Sequence, residues 1–312
     1  MADKVINQIS DVCIIGSGPA GLSASVYASR AGLKHVVYEK FPMSGGQIVN
    51  TGDVENYLGF SSVGGFDLAQ KFHEHAVNAG GNFKTEAIKS IFKNNGVFKV
   101  TSEKGETEYF KTVIAATGAK SKTLGAKGEA EFTGKGVSYC AHCDGAFYRN
   151  KTAVVVGGGD TAVSDALYLS NLCKQVIVVH RRDEFRAVKS LVNKLEAKEN
   201  VKIIRGFVLV EIKGDTKAES VILKSVKNNE TQEFLTDGVF IAVGVSPVNE
   251  LFKDIAETNE AGFLIANEDC KTSLEGLFVA GDLRAKPLKQ IVTAVSDGAN
   301  AIYSAEKYLR EN

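Results

Sequence analysis

Residues 12–21 read VCIIGSGPAG, an apolar run followed by the pattern Gly-x-Gly-x-x-Gly. A helix-like stretch follows from about Ala20 and ends at Gly32, and a second apolar run, residues 36–38, ends at Glu39. Strand, glycine turn, helix, strand and acidic residue in this order are typical of the start of a dinucleotide-binding βαβ unit. We therefore predict a Rossmann-like fold in the first part of the chain.

The glycine turn has the residue types that binding of a pyrophosphate requires. Gly16 permits a tight turn, Gly18 lets the backbone approach the phosphates, and Gly21 lets helix and strand pack closely. The N-terminus of the helix adds free N–H groups and a partial positive charge. A single pattern of this kind is also compatible with an ordinary strand-to-helix turn. The candidate binding residues are Gly16, Ser17, Gly18, Ala20 and Gly21.

The same order of elements returns in the middle of the chain. An apolar run at residues 153–156 leads into a second glycine turn, and a further apolar strand follows at residues 176–179. This repeat in a matching context favours a second dinucleotide site over an ordinary turn. The candidate residues of the second turn are Gly157, Gly159, Asp160, Thr161 and Ala162.

Each βαβ unit is followed by alternating apolar and polar residues, at 91–110 and at 207–234, which predicts a small antiparallel meander. A buried strand that ends in glycine comes next in both halves, at 113–118 and at 239–244. The predicted fold class is therefore α/β, with two Rossmann-like dinucleotide-binding domains that each carry a small antiparallel meander.

The tail after the second copy, from Gly262 to Asn312, is too short to form its own core. It contains an apolar strand at 277–280, then Gly281-Asp282, and a predicted helix from about Gln290 to Leu309. We expect this tail to pack on one of the two domains.

The residues after the second strand of each unit indicate which nucleotide each site takes. Glu39 can accept hydrogen bonds from ribose hydroxyls and would repel a 2′-phosphate, so the first site suits FAD or NAD. The matching stretch of the second unit contains His180, Arg181, Arg182 and Arg186, and guanidinium groups bind phosphate through paired charged hydrogen bonds. The second site therefore suits NADPH, with a solvated basic helix start as the alternative.

Cys140 and Cys143 form a Cys-x-x-Cys pair that is followed directly by Asp144. The spacing allows a reducible disulfide, and Asp144 could move a proton as the dithiol forms or breaks. The alternatives are a thiol pair without chemistry and a zinc site, which would need two further ligands. No metal is predicted, because the remaining cysteines are single: Cys13, Cys173 and Cys270.

The two nucleotide sites and the cysteine pair together indicate the chemistry of the protein. NADPH delivers a hydride, a disulfide accepts two electrons with protons, and a flavin is the usual relay between the two chemistries. The first site should therefore hold FAD. The predicted domains are a first FAD-binding segment at 1–118, an NADPH-binding domain with the redox disulfide at 119–245, and a second FAD-binding segment at 246–312.

Composition and charge exclude several other classes of protein. Among 312 residues, Lys+Arg 37 balances Asp+Glu 37, so charge gives no reason to expect nucleic acid or an anionic membrane as partner. The first ten residues, MADKVINQIS, lack the apolar core of a signal peptide, and five cysteines are too few for a secreted disulfide framework. We expect a cytoplasmic protein.

Taken together, these motifs resemble the low-molecular-weight, bacterial-type, NADPH-dependent thioredoxin reductases. The resemblance runs nearly from end to end and implies a homodimer, with FAD held by the N- and C-terminal segments and NADPH by the central domain. It rests on the two glycine turns, Gly45-Gly46-Gln47, Glu55-Asn56-Tyr57, Ala116-Thr117-Gly118, Cys140–Gly145, His180–Ala187, Gly281-Asp282 and Gln290–Ala294.

The resemblance also implies roles for individual residues. Cys143 would face the flavin, Cys140 would attack thioredoxin, and Asp144 would be the acid/base. Lys289 stands where the family usually has Arg, and Glu39 stands where some members have a small residue. The flavin site would include Gly46, Gln47, Asn56, Thr117, Gly281, Asp282, Lys289, Gln290 and Ile291.

Two rival functions remain open at this point. One is a related flavoprotein that reduces another acceptor, such as a peroxiredoxin system or a ferredoxin-linked partner. The arginine cluster argues against the ferredoxin-dependent relatives, which lack it. The other rival is a non-catalytic redox sensor that uses the cysteine pair as a switch.

Overall fold

The structure is a computed structural model that describes residues 9–51 and 53–312. Two compact units are present: the first combines the residues up to Lys120 with Ser246–Asn312, and the second is Ser121–Val245. The prediction that residues 1–10 carry no leader concerns a stretch that lies mostly outside the described residues.

The strands and helices are numbered in chain order. The strands are β1 (Ser10–Ile15), β2 (His35–Glu39), β3 (Asp53–Val54), β4 (Val63–Gly64), β5 (Phe83–Thr85), β6 (Ile88–Asn94), β7 (Val97–Ser102), β8 (Thr107–Ala115), β9 (Ala119–Ser121), β10 (Val137–Ser138), β11 (Thr152–Val156), β12 (Gln175–His180), β13 (Val201–Arg205), β14 (Phe207–Gly214), β15 (Ala218–Ser225), β16 (Thr231–Leu235), β17 (Gly238–Ile241), β18 (Val245–Pro247) and β19 (Leu277–Val279). The α-helices are α1 (Pro19–Arg30), α2 (Gly65–Asn78), α3 (Glu129–Phe132), α4 (Ala141–Asp144), α5 (Asp160–Ser170), α6 (Lys189–Glu196) and α7 (Ile291–Glu311), and 3₁₀ turns cover Gly46–Asn50, Gly145–Tyr148 and Gly281–Leu283.

The sheet of the first unit has the strand order β5-β2-β1-β8-β7-β6, and β19 also pairs with β8. Strand β1 is parallel to both neighbours, with Ile14 opposite Val37 on one side and Ile114 on the other. Val12 and Ile14 face one hydrophobic cluster while Cys13 and Ile15 face another. Because both faces of β1 are covered, its sequence is a continuous apolar run rather than an alternating one.

The prediction of a meander that ends near Phe110, followed by a separate strand at 113–118, is wrong in one respect. The two segments form one strand, β8, whose first half pairs antiparallel with β7 and whose second half pairs parallel with β19. The first half of β8 contains exposed and partly buried residues, whereas the residues of its second half are all buried, because other elements pack on both faces there.

The tail joins the first unit by close helix packing. A side chain at Gly298 in α7 would lie 2.2 Å from the carbonyl oxygen of Ala20 in α1, so the two backbones approach as only glycine allows. The hydroxyl of Ser23 also donates to the carbonyl oxygen of Val295 at 2.7 Å. This packing brings the C-terminal helix against the helix that follows the first glycine turn.

The second unit has a parallel sheet in the order β10-β17-β11-β12-β13 and a separate antiparallel sheet, β14-β15-β16. The second meander is thus a sheet of its own, whereas the first continues the parallel sheet. The predicted α/β class, with a glycine turn and a meander in each half, is confirmed.

Candidate functional site

The first glycine turn is built so that only glycine fits at its start. Gly16 has φ +105°, and a side chain there would lie 2.4 Å from the carbonyl oxygen of Ala116, directly after the neighbouring strand β8. A side chain at Gly21 would lie 1.8 Å from the carbonyl oxygen of Gly16, so helix α1 packs directly on the turn. Gly21 therefore serves close packing, as predicted, while Gly16 permits the predicted tight turn and in addition a close approach to Ala116.

Glu39 supports the glycine turn from the end of β2. Its Oε2 accepts hydrogen bonds from the backbone N–H of Ser17 at 2.9 Å and from the Ser17 hydroxyl at 2.8 Å, and its Oε1 accepts from the N–H of Phe41 at 3.1 Å. Sequence reasoning assigned Glu39 to ribose hydroxyls alone. In the structure the carboxylate also holds the turn in place.

A cavity of about 840 Å³ opens beside this turn, within the first unit. Such a volume lies in the upper part of the range of about 300–1,000 Å³ that is typical of ligand cavities. Most of the predicted flavin residues line it: Gly16, Ser17, Gly18, Ala20, Glu39, Gly46, Gln47, Thr117, Gly281, Asp282, Gln290 and Ile291.

Three predicted residues lie outside the lining. Gly21 packs the turn, as described. Asn56 contacts a residue of the cavity wall, because its Nδ2 donates a hydrogen bond to Gln290 Oε1 at 3.1 Å. Lys289 holds the turn at Asp282 through hydrogen bonds to the backbone: its Nζ donates to the carbonyl oxygens of Asp282 at 2.8 Å and Arg284 at 2.9 Å. Burial lowers the pKa of the Lys289 ammonium group to about 8.

Sequence reasoning missed several segments of the cavity wall. They include Lys40 and Phe41 directly after β2, Glu86–Lys89, which runs from the end of β5 into the start of β6, and Val248 with Glu250 and Leu251, just after β18. None of these segments carries a motif. Their only signal is that each follows directly on a strand of the predicted domain.

The polar groups of the cavity fit a dinucleotide such as FAD. Asp282 Oδ1 is buried and has no hydrogen-bond partner among the described residues, and burial raises the pKa of this carboxyl group. Helices α1 and α7 both begin at the cavity wall, at Pro19 and Ile291. Pro19 has no N–H and the Gln290 side chain accepts the N–H of Thr293, so the remaining first-turn N–H groups are those available to an anionic ligand. Asp282 can take hydroxyl donors of a ribityl chain, and the helix N-termini can take phosphate oxygens.

A buried ion cluster holds the Gly281–Leu283 turn. Asp297 accepts from the N–H of Gly281 at 3.0 Å, from Arg284 Nη2 at 2.8 Å and from Lys286 Nζ at 2.8 Å, and all three charged side chains are nearly fully buried. Sequence reasoning did not identify this cluster, because its members match no motif. Its arrangement fixes the backbone that presents Asp282 to the cavity.

The second glycine turn repeats the first in detail. The N–H of Gly157 donates to Val179 at 3.1 Å, and a side chain at Gly157 would lie 2.4 Å from the carbonyl oxygen of Ala242, matching Gly16 and Ala116. Ala162 replaces the third glycine and is fully buried. Of the other predicted residues, Gly159 is the N-cap of α5 and Thr161 is exposed, while Asp160 Oδ1 accepts from the N–H of Val188 at 2.8 Å.

The arginine segment lies next to this turn. Arg181, Arg182 and Arg186 are exposed, and the N–H of Arg186 donates to the carbonyl oxygen of Gly158 at 2.7 Å. The segment is irregular, since the next helix begins only at Lys189, so the arginines precede a helix rather than start one, and they are exposed to solvent as the alternative of a solvated basic segment also expects. His180 is buried, and its pKa is lowered by burial and further by the three arginine charges.

The cysteine pair forms a disulfide at the start of α4. The Cα atoms of Cys140 and Cys143 are 5.3 Å apart, and the N–H of Cys143 donates to Cys140 Sγ at 3.2 Å. Burial raises the pKa of Asp144, and a hydrogen bond from Ser138 opposes this shift. Cys13, Cys173 and Cys270 are buried free thiols, and no metal-binding group of His, Cys, Asp or Glu occurs among the described residues.

Comparison with known proteins agrees with this geometry. A family model described as pyridine nucleotide-disulphide oxidoreductase matches residues 10–298. The thioredoxin reductases of Listeria innocua and Bacillus subtilis are each 44% identical, over 97% of this chain and 95% and 96% of theirs. The crystal structure of thioredoxin reductase from Streptococcus pyogenes has a TM-score of 0.93 at 41% identity, covering 98% of this chain and 100% of that one.

The chain therefore belongs to the pyridine nucleotide-disulphide oxidoreductase family and, within it, to the bacterial-type thioredoxin reductases. It is an NADPH-dependent flavoprotein disulfide oxidoreductase, and its cofactors are FAD and NADPH. The predictions of family, enzyme class and cofactors are confirmed. In the part of the chain that the structure describes, no helix has both the length and the apolar composition needed to cross a membrane.

Proposed function

We propose that this enzyme reduces the disulfide of thioredoxin with electrons that pass from NADPH through FAD and the Cys140–Cys143 disulfide. The observation that carries the proposal is the Cys140–Cys143 disulfide with the half-buried Asp144 beside it, in the same unit as the second glycine turn and its arginine segment. The names of the related proteins support thioredoxin as the acceptor.

The proposed assignment gives FAD to residues 1–118 and 246–312 and NADPH to residues 119–245. Bound FAD supplies a two-electron relay between nicotinamide and sulfur. The first glycine turn and Gly46 would hold the pyrophosphate region, Asp282 would hold the ribityl chain, and Gln47, Asn56, Thr117, Lys289, Gln290 and Ile291 would position the flavin. Arg181, Arg182 and Arg186 would hold the 2′-phosphate of NADPH.

Reduction of the enzyme's disulfide breaks the S–S bond with two electrons, and the two sulfurs take up two protons. Asp144 is suited to move one of these protons, since burial brings its pKa closer to neutrality. The thiolate of Cys140 then attacks a sulfur of thioredoxin and forms a mixed disulfide. Attack by Cys143 on Cys140 releases reduced thioredoxin and restores the Cys140–Cys143 bond.

The proposal includes a homodimer in the cytoplasm, without nucleic acid or membrane partners. The equal numbers of acidic and basic residues support the last point. The family resemblance supports the dimer, and sedimentation equilibrium of the purified enzyme tests it.

The deciding experiment is an anaerobic titration with NADPH followed by addition of thioredoxin, performed on the wild type and on Cys140→Ser. The variant should lose thioredoxin reduction while NADPH still bleaches the flavin absorbance. Cys173→Ser, which removes a buried thiol from the same unit, is the matched control and should retain activity. Wild-type protein that accepts electrons from NADPH but reduces no thioredoxin would favour another acceptor or a sensor.

A further inference from the structure

Strands β12 and β13 end side by side, at the edge of the sheet where the arginine segment begins. In their parallel register His180, the last residue of β12, lies opposite Arg205, the last residue of β13. Ligands of open α/β sheets bind outside these carboxyl ends of the strands. Arg205 therefore lies at the ligand edge of the sheet, although it belongs to none of the motifs that predict the coenzyme site.

The aromatic ring of Phe185 contacts both of these strand ends. Its plane lies 12° from that of the His180 ring, with the centroids 5.2 Å apart, and Arg205 Cζ lies 5.2 Å from the Phe185 ring centroid. Phe185 is partly buried and packs against the hydrophobic cluster that includes Val178 and Leu195. The ring is thus in contact with a stacked imidazole, a cation and the core of the second unit.

A second contact restricts the guanidinium group of Arg205. Its Nη2 forms an ion pair with Oε1 of Glu196, the last residue of helix α6. Such a partly exposed ion pair contributes little to stability by itself. It limits the rotamers of a long side chain, however, and so keeps the guanidinium group close to the Phe185 ring.

The arginine segment, residues 181–188, contains no helix or strand that could fix its conformation. Two hydrogen bonds hold its second half: the N–H of Arg186 donates to the carbonyl oxygen of Gly158 at 2.7 Å, and the N–H of Val188 donates to Asp160 Oδ1 at 2.8 Å. Contacts of side chains must fix the remainder. The ring that precedes Arg186 is the largest of these side chains to reach the core.

This inference rests on the proposed function, in which Arg181, Arg182 and Arg186 hold the 2′-phosphate of NADPH. We propose that Arg205 is a positioning residue for that site, which fixes the ring of Phe185 and so keeps the arginine segment in the conformation that binds the phosphate. In this role Arg205 needs no contact with the phosphate. It reduces the ordering of the segment that binding would otherwise require.

The role concerns NADPH and not NADH. The arginines would bind a group that NADH lacks, so a less ordered segment weakens NADPH while NADH keeps its other contacts. Arginine suits the position because its planar, permanently charged guanidinium group stacks on aromatic faces. The ammonium group of a lysine has the charge but not the planar shape.

The test compares two nucleotides that bind the oxidised holoenzyme, in titrations observed by ligand NMR. The first, 2′,5′-ADP, carries the 2′-phosphate, and the second, 5′-AMP, lacks it. Arg205→Gln should weaken 2′,5′-ADP by roughly two- to tenfold, as expected for the loss of one cation–π contact, and leave 5′-AMP unchanged. Arg205→Lys should recover part of the loss. Unchanged affinity for 2′,5′-ADP in Arg205→Gln, or equal weakening of both nucleotides, would overturn the inference.

Lys202→Gln is the matched control, because it removes a positive charge from an exposed position on the same strand. Lys202 Nζ also lies over an aromatic ring, 4.9 Å from the centroid of Phe234, but this ring belongs to the antiparallel sheet and not to the arginine segment. Both nucleotides should bind this variant as they bind the wild type. A loss as large as that in Arg205→Gln would assign the effect to net charge and contradict the positioning role.

A double-mutant cycle with Phe185→Leu separates positioning from direct contact between Arg205 and the phosphate. Leucine keeps apolar packing but has no ring. Phe185→Leu alone should weaken 2′,5′-ADP, and addition of Arg205→Gln should cause no further loss, because the contact between the two side chains is already absent. A full additional loss would mean that Arg205 acts on the ligand directly. Arg205→Gln changes an exposed side chain, so its comparison with Lys202→Gln decides the matter even if Phe185→Leu fails to fold.

Arg181→Gln separates this inference from the proposed function. If this variant loses the preference for 2′,5′-ADP over 5′-AMP while Arg205→Gln keeps it in full, the phosphate assignment stands and the positioning role of Arg205 falls. A wild type without that preference would overturn the phosphate assignment, and the positioning role with it.

Discussion

The imidazole ring of His180 occupies the space above the backbone of Gly158, so that a methyl group at residue 158 would lie 2.2 Å from His180 Cε1. The ring also contacts the carbonyl oxygen of Glu184 through Nε2 at 3.0 Å and stacks on Phe185. His180 thereby connects the second glycine turn with the arginine segment, and its ring leaves room only for glycine at residue 158.

Gly158→Ala should therefore destabilise the second unit, by about 1–3 kcal/mol, because the ring has no space to move aside in a packed site. Urea unfolding followed by circular dichroism measures this, since the chain has no tryptophan. Gly159→Ala is the matched control: nothing lies within 4 Å of a side chain there, so it should cost less than about 1 kcal/mol. Equal losses in the two variants would contradict the role given to His180.

Replacement of Arg181 and Arg186 by glutamine should weaken NADPH by about 1.5–3 kcal/mol for each charged hydrogen bond lost, with far less effect on NADH. The physical reason is that only NADPH carries the 2′-phosphate that these side chains would bind. Affinity for the two coenzymes is measured by anaerobic titration of flavin reduction, with Lys174→Gln as an exposed basic control in the same unit. The phosphate assignment is wrong if both coenzymes weaken equally.

Glu39→Gln should weaken retention of FAD by roughly 10- to 100-fold, as expected for the loss of about 1.5–3 kcal/mol from hydrogen bonds to a charged acceptor. The carboxylate accepts from Ser17 twice and from Phe41, and an amide cannot reproduce this set without turning a donor toward Ser17. The ratio of FAD to protein after gel filtration provides the readout. Glu106→Gln, an exposed change in the turn before β8, should retain the full complement.

Asp165→Asn should remove a pH-dependent penalty on folding. Burial raises the pKa of Asp165 from 3.8 to about 6, so the folded state binds this proton more tightly than the unfolded state does. The stability that protonation supplies is complete below pH 4 and is lost as the pH rises through 6, with a loss of up to about 3 kcal/mol.

The asparagine variant should therefore gain stability relative to wild type as the pH rises from 4 to 7. Urea unfolding at several pH values measures the difference, and Asp183→Asn, at a highly exposed carboxylate, serves as control. A difference between wild type and Asp165→Asn that stays constant with pH would rule out the burial effect.

The two glycine turns and the cysteine pair could be predicted because their chemistry depends on residues close together in sequence. The apolar run before Gly16 and the one before Gly157 each specify a strand, and the spacing of the turn specifies the rest. The family, the fold class and the cofactors followed from these motifs and are confirmed. The roles of individual cofactor residues and the assignment of the domains stay predictions.

The supporting contacts could not be predicted, because they join residues far apart in sequence or types without a motif. Asp297 is one acidic residue within a helix, and nothing in the sequence indicates that it binds Arg284, Lys286 and the N–H of Gly281. The continuity of β8 was missed for a related reason, since burial of its second half depends on β19, which is more than 150 residues further along the chain.

The first unit takes β19 and α7 from the last part of the chain, whereas Ser121–Val245 is contiguous. On the ribosome, the central unit is therefore synthesised in full while the sheet around β8 still lacks a strand. Because domains generally fold as units during synthesis, the earliest-made residues must wait for the latest-made ones before the FAD cavity can close. We therefore expect the central unit to complete its fold before the first unit, although the first unit is the one whose synthesis begins earlier.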